Sequence, residues 1–345
     1  MPRLASSRTL VSRLLMAILC IGGSASFAGE PENKSVPVIF DTDMGNDIDD
    51  VFALGLLHGL QSRGECKIIA VTVSKDHELA GPFCDVINTF YGCGNIPIGV
   101  LRTAKPSGDG PYLTQVMAPG KFKFSDHHQL LKKFSDAPLA VTVLRKTLAT
   151  QRDGSVVVIA VGPMTNLASL LNSPADQASD LTGKELVAAK VRLLVVMAGD
   201  FSRPKAEFNV FSDRDSAATV LATWPTELIA CPFEMGSAIH YPSLDNDFHY
   251  VEGHPLLMAN LATFGGRTNG FMAWDLVATL HAIRPDRGYF NLSKPGTIRL
   301  DAENVTHHDE DASGKHRYLM PRDNTERVRE AISGLASQPP AAKQK

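Results

Sequence analysis

Short apolar runs rich in β-branched residues recur along this chain, and helical stretches separate them. The runs occupy residues 36–40, 67–73, 156–161, 191–197 and 227–230. Strands that alternate with helices pack into a parallel sheet that is covered on both faces. The pattern therefore predicts an α/β fold with a doubly wound, mostly parallel open sheet. In such a sheet we expect the functional residues at the carboxyl ends of the strands.

The first 28 residues have the composition of a processing segment. Arg3, Arg8 and Arg13 precede an apolar stretch at residues 14–21, and small residues lead to Ala28. This order is typical of a signal peptide, so we expect cleavage after Ala28 and a secreted or periplasmic protein. The apolar stretch is too short to span a bilayer. Since no repeat or linker divides the rest, we expect one domain at residues 29–337 and a disordered tail at 338–345.

The charge balance favours a small-molecule partner. The chain has 34 Lys and Arg against 37 Asp and Glu, a formal net charge of −3, and no basic block. Because nucleic-acid binding needs a basic surface, we expect neither nucleic acid nor an anionic membrane to bind. The cysteines that follow the predicted signal peptide do not have zinc-site spacing; they are Cys66, Cys84, Cys93 and Cys231. A disulfide between Cys84 and Cys93 stays an open alternative.

An acidic run follows the first predicted strand. Residues 41–50 contain five aspartates, and an apolar helix is predicted directly after them at residues 51–60. Two carboxylates about 4 Å apart repel by roughly 4 kcal/mol at an effective dielectric of 20, so converging acids need a cation or raised pKa values. All the donors are oxygens, which favours Ca²⁺ or Mg²⁺ over zinc. Aspartates that only complement a helix dipole are the simpler alternative, but one or two would suffice for that.

Two other metal-dependent motifs share part of this pattern. An EF-hand loop needs an acid or amide at its fifth position, where this chain has Gly45, so that motif does not fit. A haloacid-dehalogenase-type phosphatase also has a strand followed by Asp-x-Asp, which Asp41 and Asp43 would supply. That hypothesis leaves Asp47, Asp49 and Asp50 without a role, and it ranks second.

Four segments together resemble the nucleoside hydrolase family. The first is the Asp-Thr-Asp-x-Gly-x-Asp-x-Asp-Asp run that begins at Asp41. The others are Val-Gly-Pro-Met-Thr-Asn-Leu-Ala at residues 161–168, Ala-Glu-Phe-Asn-Val at 206–210, and Trp-Asp-Leu-Val-Ala at 274–278. Each is weak alone, but they follow one another in the family's order. The resemblance implies a Rossmann-like core and Ca²⁺-dependent hydrolysis of the N-glycosidic bond of ribonucleosides.

The resemblance also implies roles for individual residues. Ca²⁺ would be bound by the main-chain carbonyl of Thr165 and by the carboxylates of Asp43, Asp50 and Asp275. The ribose would accept hydrogen bonds from, or donate them to, Asp49, Glu207 and Asn209. Asp43 is also the candidate base, because a Ca²⁺-bound water is only moderately acidic and a carboxylate must complete its deprotonation. Helix or turn capping is the alternative role for Asp49, Thr165 and Asn209.

The acidic run departs from the family's spacing. The usual spacing places the paired acids six and seven residues after the first aspartate, at positions 47 and 48, whereas the pair here is Asp49 and Asp50. We infer a two-residue insertion in the loop, because the apolar helix follows Asp50 directly. Asp47 is then an additional acid with no assigned role.

Trp274 occupies the position where many members of the family have a histidine that acts as a general acid. An indole cannot donate a catalytic proton at neutral pH. Purine-specific members resemble this chain in having tryptophan there, so we expect Trp274 to stack on a purine and assist its departure. A core tryptophan that only supports Asp275 is the alternative.

Two further segments depart from the family's pattern. After residues 68–73 the family commonly has Gly-Asn, where this chain has Ser74-Lys75-Asp76. Asp76 is therefore the candidate to replace the amide that faces the sugar. Residues 99–135 do not match the family's middle loop and are predicted to form a long surface loop. Its candidates for contacting the base are Tyr112, Phe122, His127 and His128.

The sequence thus predicts an enzyme that hydrolyses ribonucleosides, with purine ribosides as the favoured substrates, to ribose and free base. One alternative is a hydrolase of another N-riboside, such as nicotinamide riboside. A second is a protein that binds sugar or nucleoside without turnover, and the phosphatase is the third. The resemblance also implies a homodimer or a homotetramer.

Overall fold

A mixed sheet forms the centre of the protein. The computed structural model describes residues 35–103, 110–118, 134–242, 247–248 and 250–341. The predicted signal peptide, Phe122, His127, His128 and residues 342–345 of the predicted tail lie outside these ranges. Contacts group Lys34–Lys345 into one unit. Within the described ranges no helix is both long enough and apolar enough to cross a membrane.

The strands and helices follow the predicted alternation. The strands are β1 (Val36–Thr42), β2 (Cys66–Val73), β3 (Ile98–Val100), β4 (Val156–Ala160), β5 (Val191–Met197), β6 (Glu227–Cys231), β7 (His240–Tyr241), β8 (Phe271–Met272), β9 (Asn291–Leu292), β10 (Gly296–Leu300), β11 (Thr306–Glu310) and β12 (His316–Met320). The helices are α1 (Asp49–Ser62), α2 (Ala80–Phe90), α3 (Leu113–Val116), α4 (Ala140–Ala149), α5 (Thr165–Leu171), α6 (Gly183–Lys190), α7 (Phe208–Ser212), α8 (Arg214–Thr223), α9 (Phe233–Ser237), α10 (Pro255–Thr263), α11 (Trp274–Ile283) and α12 (Thr325–Ala336). Short 3₁₀ helices lie at Phe134–Asp136 and Pro285–Arg287.

The strand order confirms the predicted fold class. Parallel neighbours run in the order β3-β2-β1-β4-β5-β6-β12, and β9, β10 and β11 add antiparallel pairs beside β12. The chain winds outward from β1 through β2 and β3 in one direction, and from β4 through β5 and β6 in the other. A crevice forms at such a reversal, here between β1 and β4, and ligands bind there at the carboxyl ends of the strands.

The apolar core lies on both faces of the sheet. Along β1, Val38 and Phe40 belong to one buried cluster, whereas Ile39 belongs to the other. This alternation follows from the two-residue period of a strand. Because both faces are covered, the central strands are continuous apolar runs, which is the pattern that the sequence showed.

The prediction of a surface loop at residues 99–135 is wrong for residues 110–118. Tyr112, Leu113 and Val116 are buried, and α3 packs them into the larger core cluster. Their spacing places all three on one side of a single helical turn. The structure has no disulfide between Cys84 and Cys93, since all four cysteines in the described residues are free thiols.

His58 is a buried histidine of α1 that has no role in the predicted site. Its Nε2 lies 2.8 Å from Asn88 Oδ1, and its ring stacks on Tyr91 with centroids 4.5 Å apart. Burial disfavours the charged imidazolium and lowers the pKa of His58 from 6.5 to about 4. The unfolded chain therefore binds this proton more readily than the folded chain does.

The stability contribution of His58 should depend on pH. It is fully present above pH 6.5 and is lost as the pH falls from 6.5 toward 4. Relative to His58→Gln, the wild-type free energy of unfolding should fall by about 2 kcal/mol between pH 7 and pH 5. Urea unfolding at the two pH values measures this, with the exposed His240→Gln as the matched control. Parallel pH profiles for wild type and His58→Gln would contradict the account.

Candidate active site

A cleft opens at the carboxyl edge of the sheet, where the reversal of strand order predicts it. Its empty volume, counted together with the open solvent at its mouth, is about 400 Å³. Its lining includes Asp43 after β1, Val161 after β4, Met197 at the end of β5 and Phe233 after β6. Each of these positions follows or ends a parallel strand, so the topology brings distant segments of the chain to one place.

One side of the cleft is acidic. Asp43, Asp47, Asp49 and Asp50 come from the junction of β1 and α1, and Asp275 comes from the first turn of α11. The backbone N–H of Asp275 donates to Asp49 Oδ2 at 3.0 Å, and the hydroxyl of Thr42 donates to Asp50. The first bond fixes the beginnings of α1 and α11 beside each other, and the second joins α1 to the end of β1.

Three of these carboxylates converge closely enough to share a cation. Oxygens of Asp49, Asp50 and Asp275 lie within 4.8 Å of one another, and all three residues are buried. A set of donors made only of oxygens is the set that Ca²⁺ and Mg²⁺ prefer. The residues present therefore fit a hard divalent cation. Asp43 lines the same cleft, and its charge raises the pKa of Asp50 and Asp275.

The electrostatics of the cluster point the same way. The pKa of Asp43 is raised to about 6, mainly by burial; a hydrogen bond from Asn46 opposes the shift, and the neighbouring charge of Asp47 contributes to it. Burial, followed by repulsion from the other acids, holds the pKa of Asp49, Asp50 and Asp275 well above the usual range. These are the shifts expected of acids that converge in a buried site, where the charge of Lys75 compensates only in part.

Glu207 and Asn209 also line the cleft. Glu207 precedes α7, and its carboxylate accepts from the backbone N–H groups of Asn209 (2.9 Å) and Val210 (3.3 Å). Asn209 Nδ2 donates to the carbonyl oxygens of Val161 (2.9 Å) and Met197 (3.1 Å), so the amide is fixed between β4 and β5. Burial raises the pKa of Glu207 to about 7, although its backbone hydrogen bonds oppose the shift.

Aromatic side chains also line the cleft. Trp274 Nε1 donates to the carbonyl oxygen of Phe233 at 3.0 Å, and the two ring centroids are 5.4 Å apart. Phe208, half exposed, also lines the cleft. Sequence reasoning identified Trp274 but missed Phe208 and Phe233. Phe233 lies two residues beyond β6, so the rule that sites form after parallel strands would have found it.

The structure places other sequence candidates outside the lining of the cleft. Thr165 begins α5, and its hydroxyl donates to Asp213 at 2.5 Å. Asp76 accepts from the backbone N–H (2.5 Å) and the hydroxyl (2.8 Å) of Thr103. Among the residues with described positions, neither Thr165 nor Asp76 belongs to the lining. Tyr112 is fully buried behind the acidic run instead of facing a base.

Asp41 is buried beneath the acidic run. It accepts hydrogen bonds from the hydroxyl of Thr72 (2.5 Å) and from Asn166 Nδ2 (2.7 Å), which join β1 to β2 and to α5. Burial raises the pKa of Asp41 to about 7. Asp41 therefore ties together the elements that carry the site and is not among the residues that line the cleft.

Solved structures share this fold. An inosine-uridine preferring nucleoside hydrolase from Bacillus anthracis superposes with a TM-score of 0.61 at 16% identity, covering 88% of this chain and 99% of that chain. A purine-preferring ribonucleoside hydrolase from Gardnerella vaginalis gives 0.61 at 18% identity, covering 87% and 99%. The type III effector protein XopQ, complexed with adenosine diphosphate ribose, gives 0.66 at 14% identity, covering 89% and 94%.

Sequence comparison gives a partial match and a long one. An uncharacterised protein of Schizosaccharomyces pombe is 28% identical over 106 residues, and this match spans 29% of this chain and 31% of the yeast protein. The family model "Inosine-uridine preferring nucleoside hydrolase" matches residues 38–329. That match spans most of the chain and all four motif segments, and so the protein belongs to the nucleoside hydrolase family, whose members are hydrolases acting on N-glycosyl compounds.

Proposed function

We propose that the protein hydrolyses the N-glycosidic bond of ribonucleosides, with Ca²⁺ as its metal and purine ribosides as its preferred substrates. The observation that carries the proposal is the composition of the cleft. Its lining combines buried carboxylates with the aromatic side chains of Trp274, Phe233 and Phe208. A riboside has both kinds of surface, since its sugar is polar and its base is planar and apolar on its faces.

The metal would be held by the acids at the junction of β1 and α1 together with Asp275. The family resemblance assigns Asp43, Asp50, Asp275 and the carbonyl of Thr165, and the convergence of Asp49 with Asp50 and Asp275 supports a site at this place. When bound, Ca²⁺ would supply positive charge that acidifies water and orients the ribose 2′- and 3′-hydroxyls. A substrate without the 2′-hydroxyl should therefore react poorly.

Each residue of the site has its own role in the proposed reaction. Asp43 accepts a proton from the attacking water, and the neighbouring carboxylates place negative charge near the developing oxocarbenium ion. Asp49, Glu207 and Asn209 hold the sugar. Trp274 stacks on the base, so that the departing purine takes its proton from solvent rather than from a side chain.

The solved structures support the choice of substrate class. The Gardnerella vaginalis protein is purine-preferring, and XopQ was solved with adenosine diphosphate ribose. Both ligand classes carry a purine on a ribose. Export through residues 1–28 and assembly as a homodimer or homotetramer stay predictions.

Activity can be tested on the protein that lacks residues 1–28. With Ca²⁺ present, inosine, adenosine or guanosine should release reducing sugar, and 2′-deoxyinosine should release much less. Asp43→Asn should lower kcat by about 100-fold or more, because positioned general bases contribute about that much. Nicotinamide riboside and a generic phosphate ester test the alternatives. Calcium binding without sugar release from any riboside would contradict the proposal and favour a binding protein.

Calcium should stabilise the folded protein through the acidic cluster. At a Ca²⁺ concentration of 100 times its Kd, the free energy of unfolding should rise by about 2.7 kcal/mol, and chelation should reverse the rise. Asp275→Asn removes one of the converging carboxylates and should abolish most of this gain. Differential scanning fluorimetry measures the effect, with the exposed Asp153→Asn as the matched control. An equal calcium response in wild type and Asp275→Asn would place the metal elsewhere.

Trp274→Leu tests the stacking role. The substitution removes the aromatic face, so kcat/KM for purine ribosides should fall by about tenfold. The value for uridine should change less, because a smaller base gains less from stacking. The exposed Phe211→Leu, which is not among the residues that line the cleft, serves as the control. Equal losses for purine and pyrimidine ribosides would indicate that Trp274 only supports Asp275.

A further inference from the structure

The turn between β1 and α1 is held from outside by two side chains of other segments. This turn, residues 44–47, lies between Asp43 and the pair Asp49 and Asp50, so its conformation sets where the acids point. Gly45 has a φ of +111°, a conformation that L side chains rarely adopt. A turn of this kind has few internal hydrogen bonds and needs partners elsewhere to be fixed.

Tyr112 is the first partner. Its hydroxyl oxygen accepts from the backbone N–H of Gly45 at 2.7 Å, and the hydroxyl donates to the carbonyl oxygen of Asp47 at 3.3 Å. The ring is fully buried and packs on Phe83, with centroids 5.8 Å apart. The hydroxyl therefore bridges the two ends of the turn from a fixed position.

The backbone around Tyr112 also follows the turn closely. A Cβ on Gly110 would lie 1.4 Å from the Gly45 carbonyl oxygen, so only glycine allows this approach. A Cβ on Gly45 would in turn overlap the side chain of Leu113. The segment at residues 110–113 and the turn are therefore packed without space between them.

Lys75 is the second partner. Its Nζ donates to Asn46 Oδ1 at 2.5 Å, and Asn46 Nδ2 donates to Asp43 Oδ2 at 2.5 Å. An ammonium group only donates and a carboxylate only accepts, so the Asn46 amide has one favourable orientation between them. The amide thereby fixes the position of Asp43 Oδ2. Lys75, which orients the amide, is itself buried.

We propose that Lys75 and Tyr112 are positioning residues for the reaction: Tyr112 holds the turn, and Lys75 orients Asn46, which orients the Asp43 carboxylate toward the attacking water. This inference rests on the proposed function of Asp43. It also gives one explanation for three departures from the family's pattern. The later Asp-Asp pair, the Ser-Lys-Asp segment and the unmatched middle segment meet at this turn.

The first experiment does not depend on activity. Hydrogen–deuterium exchange should be measured on a peptide that spans residues 41–50 in the wild type, Lys75→Met and Tyr112→Phe. We expect faster exchange in this peptide in both variants, because each loses a bond that holds the turn. Lys294→Met removes an exposed lysine that is distant in sequence from the site, and it should exchange as the wild type does. Unchanged exchange in both variants would overturn the proposal.

The second experiment tests the route through Asn46. Lys75→Met and Asn46→Ala should each lower kcat by about tenfold with little change in KM, since the sugar contacts come from other residues. The double variant should be no slower than either single variant, because both substitutions remove the same effect on Asp43. Multiplicative losses, or a rise in KM with kcat unchanged, would overturn the positioning role.

The two proposals fail in distinguishable ways. If the wild type hydrolyses no riboside, the proposed function fails while the exchange experiment still reports on the turn. If the wild type is active and Asp43→Asn is inactive, but Lys75→Met and Asn46→Ala keep full kcat, the proposed function stands and the positioning role is wrong. Calcium affinity of each variant, measured by titration calorimetry, separates a loss of orientation from a loss of metal.

Discussion

The repulsion among buried carboxylates is the constraint on which this structure depends. Asp43, Asp49, Asp50 and Asp275 share one cleft, and burial together with mutual repulsion raises their pKa values. Removing charges from water costs several kcal/mol for each ion unless opposite charge and hydrogen bonds compensate. A divalent cation bound among the acids would supply that compensation. The rest of the fold is the scaffold that holds the acids so close together that they need such a cation.

The fold brings the carboxyl ends of several parallel strands together at the cleft. The reversal of strand order between β1 and β4 opens the crevice, and the hydrogen bonds of Asp41 to Thr72 and Asn166 join the neighbouring elements beneath it. Helix α11 then adds Asp275 and Trp274 from late in the chain, so one short helix carries both an acid of the cluster and one of the aromatic residues that line the cleft. The polar and apolar requirements of a riboside are thus met within a few residues of each other.

Local patterns in the sequence were enough to predict the fold class and most of the cleft. The apolar runs predicted β1, β2, β4, β5 and β6, and the motif segments predicted the positions of Asp50, Glu207 and Asp275 in one site. Contacts between distant segments could not be predicted in this way. Tyr112 meets Gly45 across 67 residues, and Lys75 meets Asn46 across 29, and no spacing rule encodes either pair. The same limit explains why the sequence predicts a surface loop where residues 110–118 are in fact packed into the core.

Diffraction from crystals soaked in Ca²⁺ tests most directly whether the converging acids form a calcium site. The account predicts one ion at the junction of β1 and α1, with oxygens of Asp50 and Asp275 about 2.3–2.6 Å away. The ion should disappear from crystals of Asp50→Asn. No ion at this place at saturating Ca²⁺, with the carboxyl groups protonated and hydrogen-bonded to one another instead, would contradict the account.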